Sequence, residues 1–206
     1  MSATVSPLDF QAPEVPEDNA RAGYYALLAR LFYAGPDAKL LDTISASSGM
    51  VADGGPLAGP WNALAAAARA TNADAARLEY DEVFVGTGKA EVTPYATYYL
   101  SQTGREKILV RLRQDLASYG LGRSGAAHEP EDHVAALFEV MRHLISQGSG
   151  DAAMQNQRDF FGRYVEQSFP GFCTAISRAQ KANFYKTVGV FAEAFLVVDG
   201  EGLKVF

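Results

Sequence analysis

The sequence predicts an all-α fold, a single-domain bundle of about eight to ten helices. Apolar residues recur at helical spacing along most of the chain. Glycine and proline clusters interrupt that spacing at helix-length intervals. No segment sustains the two-residue alternation of a half-buried strand, and no internal repeat is visible. At 206 residues the chain can build one sizeable core.

Residues 1–16 carry Pro7, Pro13 and Pro16 without periodicity and are expected to form a flexible tail ahead of a helical domain over 17–206. Glu17 and Asp18 precede Tyr24, Leu27, Leu28, Leu31 and Phe32, an i, i+3, i+4, i+7, i+8 stripe that Gly35-Pro36 stops. A second helix is expected from Asp37 to about Ser47, then a Gly/Pro-rich loop over 49–60. Pro60 suits the first turn of an alanine-rich helix through Ala70. Asn72 or Asp74 suits the cap of the next helix, which Gly86 ends. After a loop over 87–93, Arg105 to Tyr119 carries Ile108, Leu109, Leu112 and Leu116 on one side. Pro130 is expected to open a helix to about Gln147, followed by helices near 151–168, 170–182 and 183–198. The stretch 120–129, with Gly120, Gly122 and Gly125, is the expected hinge and leaves both a monomer and a domain-swapped dimer open.

Composition narrows the function. Hydrophobic residues make up 48% and charged residues 20%, the balance of a soluble globular protein. A net charge of −6 with no basic stripe disfavours nucleic acid and suits a basic partner. Cys173 is the only cysteine, which rules out an internal disulfide or a Cys-based zinc site within one chain. No basic, apolar leader opens the chain, and no run approaches the roughly 20 apolar residues of a membrane span. A cytoplasmic protein without stable membrane insertion is expected.

Two motifs concentrate chemistry. Glu129-Pro130-Glu131-Asp132-His133 packs three acids and a histidine into five residues. If Pro130 opened the helix, Glu131 and Asp132 would stabilise its positive end by about 0.3–1 kcal/mol each. On that helix His133 would project near the edge of the face of Leu137, Val140, Met141 and Leu144, and Asp132 towards Glu139 and His143. His128, His133, Glu139 and His143 lack the i, i+4 two-histidine spacing of a zinc site. The second motif runs from Tyr80, Val83 and Phe84 to Gly86, then Pro94-Tyr95-Ala96-Thr97-Tyr98-Tyr99. Four tyrosines beside a loop suit a surface that is apolar at one end and wet at the other. No nucleophile elbow occurs, and Gly86-Thr87-Gly88-Lys89 lacks the spacing of a phosphate loop.

Together, Tyr80-x-x-Val83-Phe84-x-Gly86, Pro94-Tyr95-Ala96-Thr97-Tyr98-Tyr99-Leu100 and Glu129-Pro130-x-Asp132-His133 resemble the TorD/DmsD family of redox-enzyme maturation chaperones. Phe160-Phe161 and Phe184-Tyr185 with Phe191 and Phe195 fit the same resemblance, which spans residues 20 to 200. It implies a TorD-like helical chaperone without catalytic residues, metal or cofactor of its own. Its partner would be the twin-arginine leader and apoprotein of a molybdopterin-dependent oxidoreductase, held until the cofactor is inserted and export can proceed. The implied leader-binding residues are Tyr80, Val83, Phe84, Pro94, Tyr95, Asp132 and His133. This chain departs from the family pattern in carrying Tyr80, Tyr95, Val83 and Thr97 where Trp, Trp, Leu and Ser are frequent. A receptor for such a leader needs an apolar floor and an acidic end. Tyr80, Val83, Phe84, Pro94 and Tyr95 suit the floor, and Asp132 with Glu129 and Glu131 suits the arginines. Two other readings stay open: a small metal-dependent or acid–base enzyme using the Glu129–His133 cluster, and a helical adaptor that ignores the leader.

Overall fold

The computed structural model describes residues 16–47, 54–86, 89–122 and 129–205. Residues 1–15 of the tail expected over 1–16, and most of the hinge expected over 120–129, lie outside them, as do His128, Thr87 and Gly88, while Pro16 is already the first residue of the first helix. Among the described residues the chain forms α-helices and two π-helical turns, with no strand beyond a single bridge.

The first helix, α1, spans Pro16–Tyr33, with Glu17 and Asp18 in its first turn where the macrodipole favours acids. Close approach follows its end: a Cβ on Gly35 would lie 2.6 Å from the Arg77 Cα. Asp37 caps α2 (Ala38–Ala46), accepting from the Leu40 N–H at 2.7 Å. The next helix, α3 (Ala58–Ala70), holds Pro60 in its first turn and packs on α2. Between them, Trp61 Nε1 donates to the Ser47 carbonyl at 2.9 Å. Asn72 caps α4 (Ala73–Tyr80) by accepting from Ala75 at 2.9 Å. A π-helical turn over Asp81–Val85 continues α4 and ends at Gly86, φ 64°. Any Cβ there would meet the Lys89 carbonyl at 2.6 Å, so the turn requires glycine.

The short α5 (Ala96–Leu100) was not expected from the sequence. α6 (Arg105–Ser118) and α7 (Val134–Ser146) follow. α8 (Asp151–Phe160) runs into a second π turn over Phe161–Val165, then come α9 (Phe169–Arg178) and α10 (Phe184–Val205).

The central layer is α1 against α7; α10 packs on α3 and α9 and also touches α1, α4 and α8. Aromatic side chains fill the junction. Phe32 lies 5.1 Å from Phe172, Phe84 lies 5.0 Å from Tyr185, and Phe138 lies 4.6 Å from Phe169, ring centre to ring centre. These separations suit edge-on and tilted ring packing. The Tyr185 hydroxyl donates to the Leu31 carbonyl at 2.9 Å, so even the buried phenol is satisfied.

Two expectations about helix ends are corrected. Pro130 does not open α7; the helix begins at Val134, with His133 as its cap. Residues 132 and 133 are instead drawn into an extended pairing with 94–96, which the local sequence could not reveal. Glu131 and Asp132 therefore lie ahead of the first helical turn, and Asp132 does not share a helix face with Glu139 and His143. At the other end, α10 runs past residue 198. Asp199 is buried and takes Arg21 Nε at 2.6 Å and the Tyr25 hydroxyl at 2.7 Å. The same guanidinium reaches Asp18 at 2.9 Å and Gln157 at 3.1 Å. Gly200 lets the Phe161 ring lie against the helix, where a Cβ would meet it at 3.0 Å. Long-range contacts thus carry the helix through Asp199-Gly200.

Candidate functional site

The two motifs, far apart in sequence, meet at one edge of the bundle. Tyr95 and His133 oppose each other in an antiparallel bridge. The Ala96 N–H donates to the Asp132 carbonyl at 2.8 Å, and the Val134 N–H donates to the Pro94 carbonyl at 2.9 Å. That register brings the Thr97 hydroxyl, in the first turn of α5, within 2.6 Å of Asp132 Oδ2. Asp132 is 5% exposed and Thr97 7%. The carboxylate expected to face a ligand is thus turned inward onto a hydroxyl.

His133 is 3% exposed. Its Nδ1 accepts from the Ala135 N–H at 3.2 Å, which assigns the proton of the neutral ring to Nε2. Burial lowers its pKa below the ordinary 6.5, against a smaller upward pull from Glu129 and Asp132. The imidazole is the edge-on neighbour of two tyrosines, with ring centres 5.6 Å away at Tyr95 and 6.4 Å away at Tyr33. Tyr33, the last residue of α1, is 57% exposed.

Tyr95 is half-buried, and its hydroxyl donates to Glu129 Oε2 at 2.9 Å. Burial first, and the Glu129 bond second, push its pKa up to about 12. Beside it, Arg113 of α6 grips Glu131 with two bonds, Nε and Nη2 each at 3.1 Å from a carboxylate oxygen. The edge thus presents Tyr33, Tyr95 and Glu129 around a buried imidazole, flanked by an Arg113–Glu131 pair.

The remaining predicted residues support this edge from beneath. The Tyr80 hydroxyl lies 2.8 Å from the Tyr33 carbonyl and 3.2 Å from that of Phe32, closing the end of α1. Burial raises the Tyr80 pKa, with Glu129, Asp81, Tyr95 and Tyr33 adding to the effect. Val83 and Phe84 are buried, Phe84 against Tyr80 and Phe32. Pro94 is buried too. The Val92 N–H donates to the Val83 carbonyl at 2.9 Å and returns the chain to the bridge. Of the eight predicted residues, Tyr95 and Glu129 are half-exposed and the other six are buried.

Three residues of the site were not singled out from the sequence: Tyr33, Thr97 as partner of Asp132, and Arg113. Tyr33 carried a weak signal, an aromatic residue directly before the Gly35-Pro36 stop. Arg113 carried none, because its partner lies 18 residues away. Among the described residues no three His, Cys, Asp or Glu side chains converge as a metal site. Glu139 is paired with Arg142 at 2.7 Å. Nδ1 of His133 is committed to capping α7, which leaves Nε2 as the ring nitrogen that can meet another group.

Residues 52–174, over half of the chain, match the family model of the nitrate reductase delta subunit. The chain is similar to the chaperone protein TorD of Aliivibrio fischeri, with 26% identity over 130 residues, 59% of this chain and 60% of that protein. It is likewise similar to TorD of Actinobacillus pleuropneumoniae, 26% identical over 137 residues, 64% of this chain and 67% of that one. The matched region spans about 60% of the length of the first of these relatives. The fold is similar to the crystal structure of a candidate redox enzyme maturation protein from Archaeoglobus fulgidus, with a TM-score of 0.52 over 93% of this chain and 97% of that one. At 18% identity that likeness concerns the fold alone.

Proposed function

We propose, on the premise that the chain belongs to the nitrate reductase delta subunit family, which includes the TorD maturation chaperones, that it is a binding protein rather than an enzyme. In this reading it works in the cytoplasm, captures the twin-arginine leader and apo form of a molybdopterin-dependent oxidoreductase, and delays export until the cofactor is in place.

The observation that carries the reading is the Tyr95–His133 bridge. It locks the two motifs into one edge that offers aromatic surface beside carboxylates. A twin-arginine leader is basic at one end and moderately apolar beyond it. Tyr33 and Tyr95 suit its apolar part. Glu129 and Glu131 suit the guanidinium groups, since charge-assisted pairs of this kind are short and directional. Asp132 and His133 position the edge, Asp132 through Thr97 and His133 through the α7 cap. Val83, Phe84, Tyr80 and Pro94 back it from the core. A leader disordered when free would lose about 2–5 kcal/mol of the gross interaction to ordering. In this reading that cost lowers the net affinity, and release needs no nucleotide cycle.

Calorimetry with a synthetic leader from a molybdoenzyme of the same organism tests this, beside a control with both arginines changed to alanine. Saturable binding that the control weakens is expected. No binding to any such leader, with the protein shown to be folded, would discard the reading.

A further inference from the structure

A second concave surface shares no residue with the edge just described. It lies between the start of α9 and the last turns of α10, closed at one end by the π turn over 161–165. Its cavity volume is about 160 Å³, room for one large aliphatic or aromatic side chain. The walls are apolar: Phe161, Phe169, Leu196, Val197 and Gly200. Val197 is 61% exposed on the rim, although Leu196 beside it is buried.

Carboxylates stand at both ends. Glu201 and Glu166 lie at one end and share Lys204, whose Nζ is 2.9 Å and 3.5 Å from them. Glu193 stands at the other end, eight residues or about 12 Å earlier on the helix. Among the described residues it has neither an ion pair nor a side-chain hydrogen bond. Cys173, its neighbour in the lining, is a neutral thiol, pushed up to about 12 by burial first and Glu193 second. It does not compete with Glu193 for a cation.

We propose that this groove binds a peptide segment bearing one large apolar side chain next to a lysine or arginine. The apolar group seats between α9 and α10, and the cation pairs with Glu193. Charge complementarity selects this occupant. The rim holds three carboxylates against one ammonium, so it attracts a basic segment. A second copy of this chain, at net charge −6, is repelled overall. The anchor side chain supplies most of the affinity, as single buried side chains do at protein interfaces. The exposed ion pair supplies the choice between peptides.

The test is an amide NMR titration of the full chain with a short Gly/Ser peptide carrying one Leu-Arg pair, beside Ser-Arg and Leu-Gln versions. Saturable shifts confined to α9, the second π turn and the C-terminal half of α10 are expected. Ser-Arg should bind at least about tenfold more weakly, the loss of a buried leucine, and Leu-Gln about two- to fivefold more weakly. Val197→Asp should abolish the shifts, and Glu193→Gln should remove the preference for Leu-Arg over Leu-Gln. Both side chains are exposed, so folding should be unaffected. Equal binding of Leu-Arg and Leu-Gln to the unaltered chain would mean a purely apolar ligand and overturn the proposal. So would shifts outside α9, the second π turn and the C-terminal half of α10, or self-association by sedimentation that Val197→Asp abolishes. Leader binding at the Tyr95–His133 edge should be unchanged in Val197→Asp, so either site can fail without the other.

Discussion

Thr97 donates its hydroxyl proton to Asp132 across 2.6 Å, joining two buried residues 35 positions apart. The bond ties α5 to the turn before α7 and reinforces the two backbone bonds of the Tyr95–His133 bridge. Thr97→Val keeps the shape but leaves the buried carboxylate without its donor. A loss of about 1–3 kcal/mol in urea unfolding is expected, with Thr97→Ser close to the unaltered chain. In a double-mutant cycle, Asp132→Asn should recover part of the Thr97→Val loss, because a neutral amide costs less to leave unpaired than a carboxylate. Additive effects would mean that the pair does not couple.

His133 makes the edge sensitive to acid. Its pKa is lowered in the fold from the 6.5 of an exposed imidazole, chiefly by burial. The folded state therefore prefers the neutral ring, and protonation would also remove the lone pair that caps Ala135. The stability gained this way is fully present above pH 6.5 and is lost as pH falls below that value through the lowered pKa. His133→Asn keeps a cap acceptor but cannot titrate. Unfolding midpoints measured from pH 7.5 down to 5 should fall less steeply in this variant. His143, whose pKa is also lowered, stays in both proteins and cancels from the comparison. Identical slopes would sink the idea.

Much of this architecture was legible in the sequence, and the failures share a cause. The Tyr24–Phe32 stripe, the helix start at Asp37, the cap at Asn72 (one of two candidates) and the Gly86 stop all depend on neighbours within one or two turns, and all appear where expected. The start of α7 was misplaced because its determinant, the Pro94 carbonyl, lies 40 residues earlier in the chain than its donor Val134. α5 is only five residues long, too short for a periodic signal. α10 outruns its Asp199-Gly200 end because Arg21 and Phe161, distant in sequence, meet those residues. At the candidate site, the sequence named the residues it proposed but carried no sign of their orientation. Asp132 was expected to face a ligand, and nothing local showed that Thr97 would turn it inward.

Glu79 caps a helix that begins more than 100 residues later. Its carboxylate accepts from the N–H groups of Asn183 at 2.7 Å, Phe184 at 3.1 Å and Tyr185 at 2.8 Å. These are donors that α10 cannot satisfy within itself. Glu79→Ala should cost about 0.5–2 kcal/mol. Amide hydrogen exchange should show the loss of protection first at 183–185. Uniform loss across the chain, or none, would deny Glu79 the capping role.

Arg113 bears on the proposed leader site most directly. Its guanidinium already occupies Glu131 with two 3.1 Å bonds, the geometry a leader arginine would use. Its side chain is half-exposed, although that of Glu131 is 13% exposed, so water competes for the guanidinium and weakens its hold on Glu131. An incoming arginine must displace it or settle for Glu129 alone. Arg113→Gln removes the competitor and a positive charge from the rim while preserving polarity. Leader affinity should therefore rise, by roughly two- to fivefold on the scale of an exposed ion pair. Glu131→Gln should lower it, and Arg113→Gln should have little effect in that background, because the position being contested is gone. Added salt should narrow all of these differences. If Arg113→Gln instead weakened binding, the guanidinium would be contacting the leader itself, and Glu131 would be its anchor rather than the leader's.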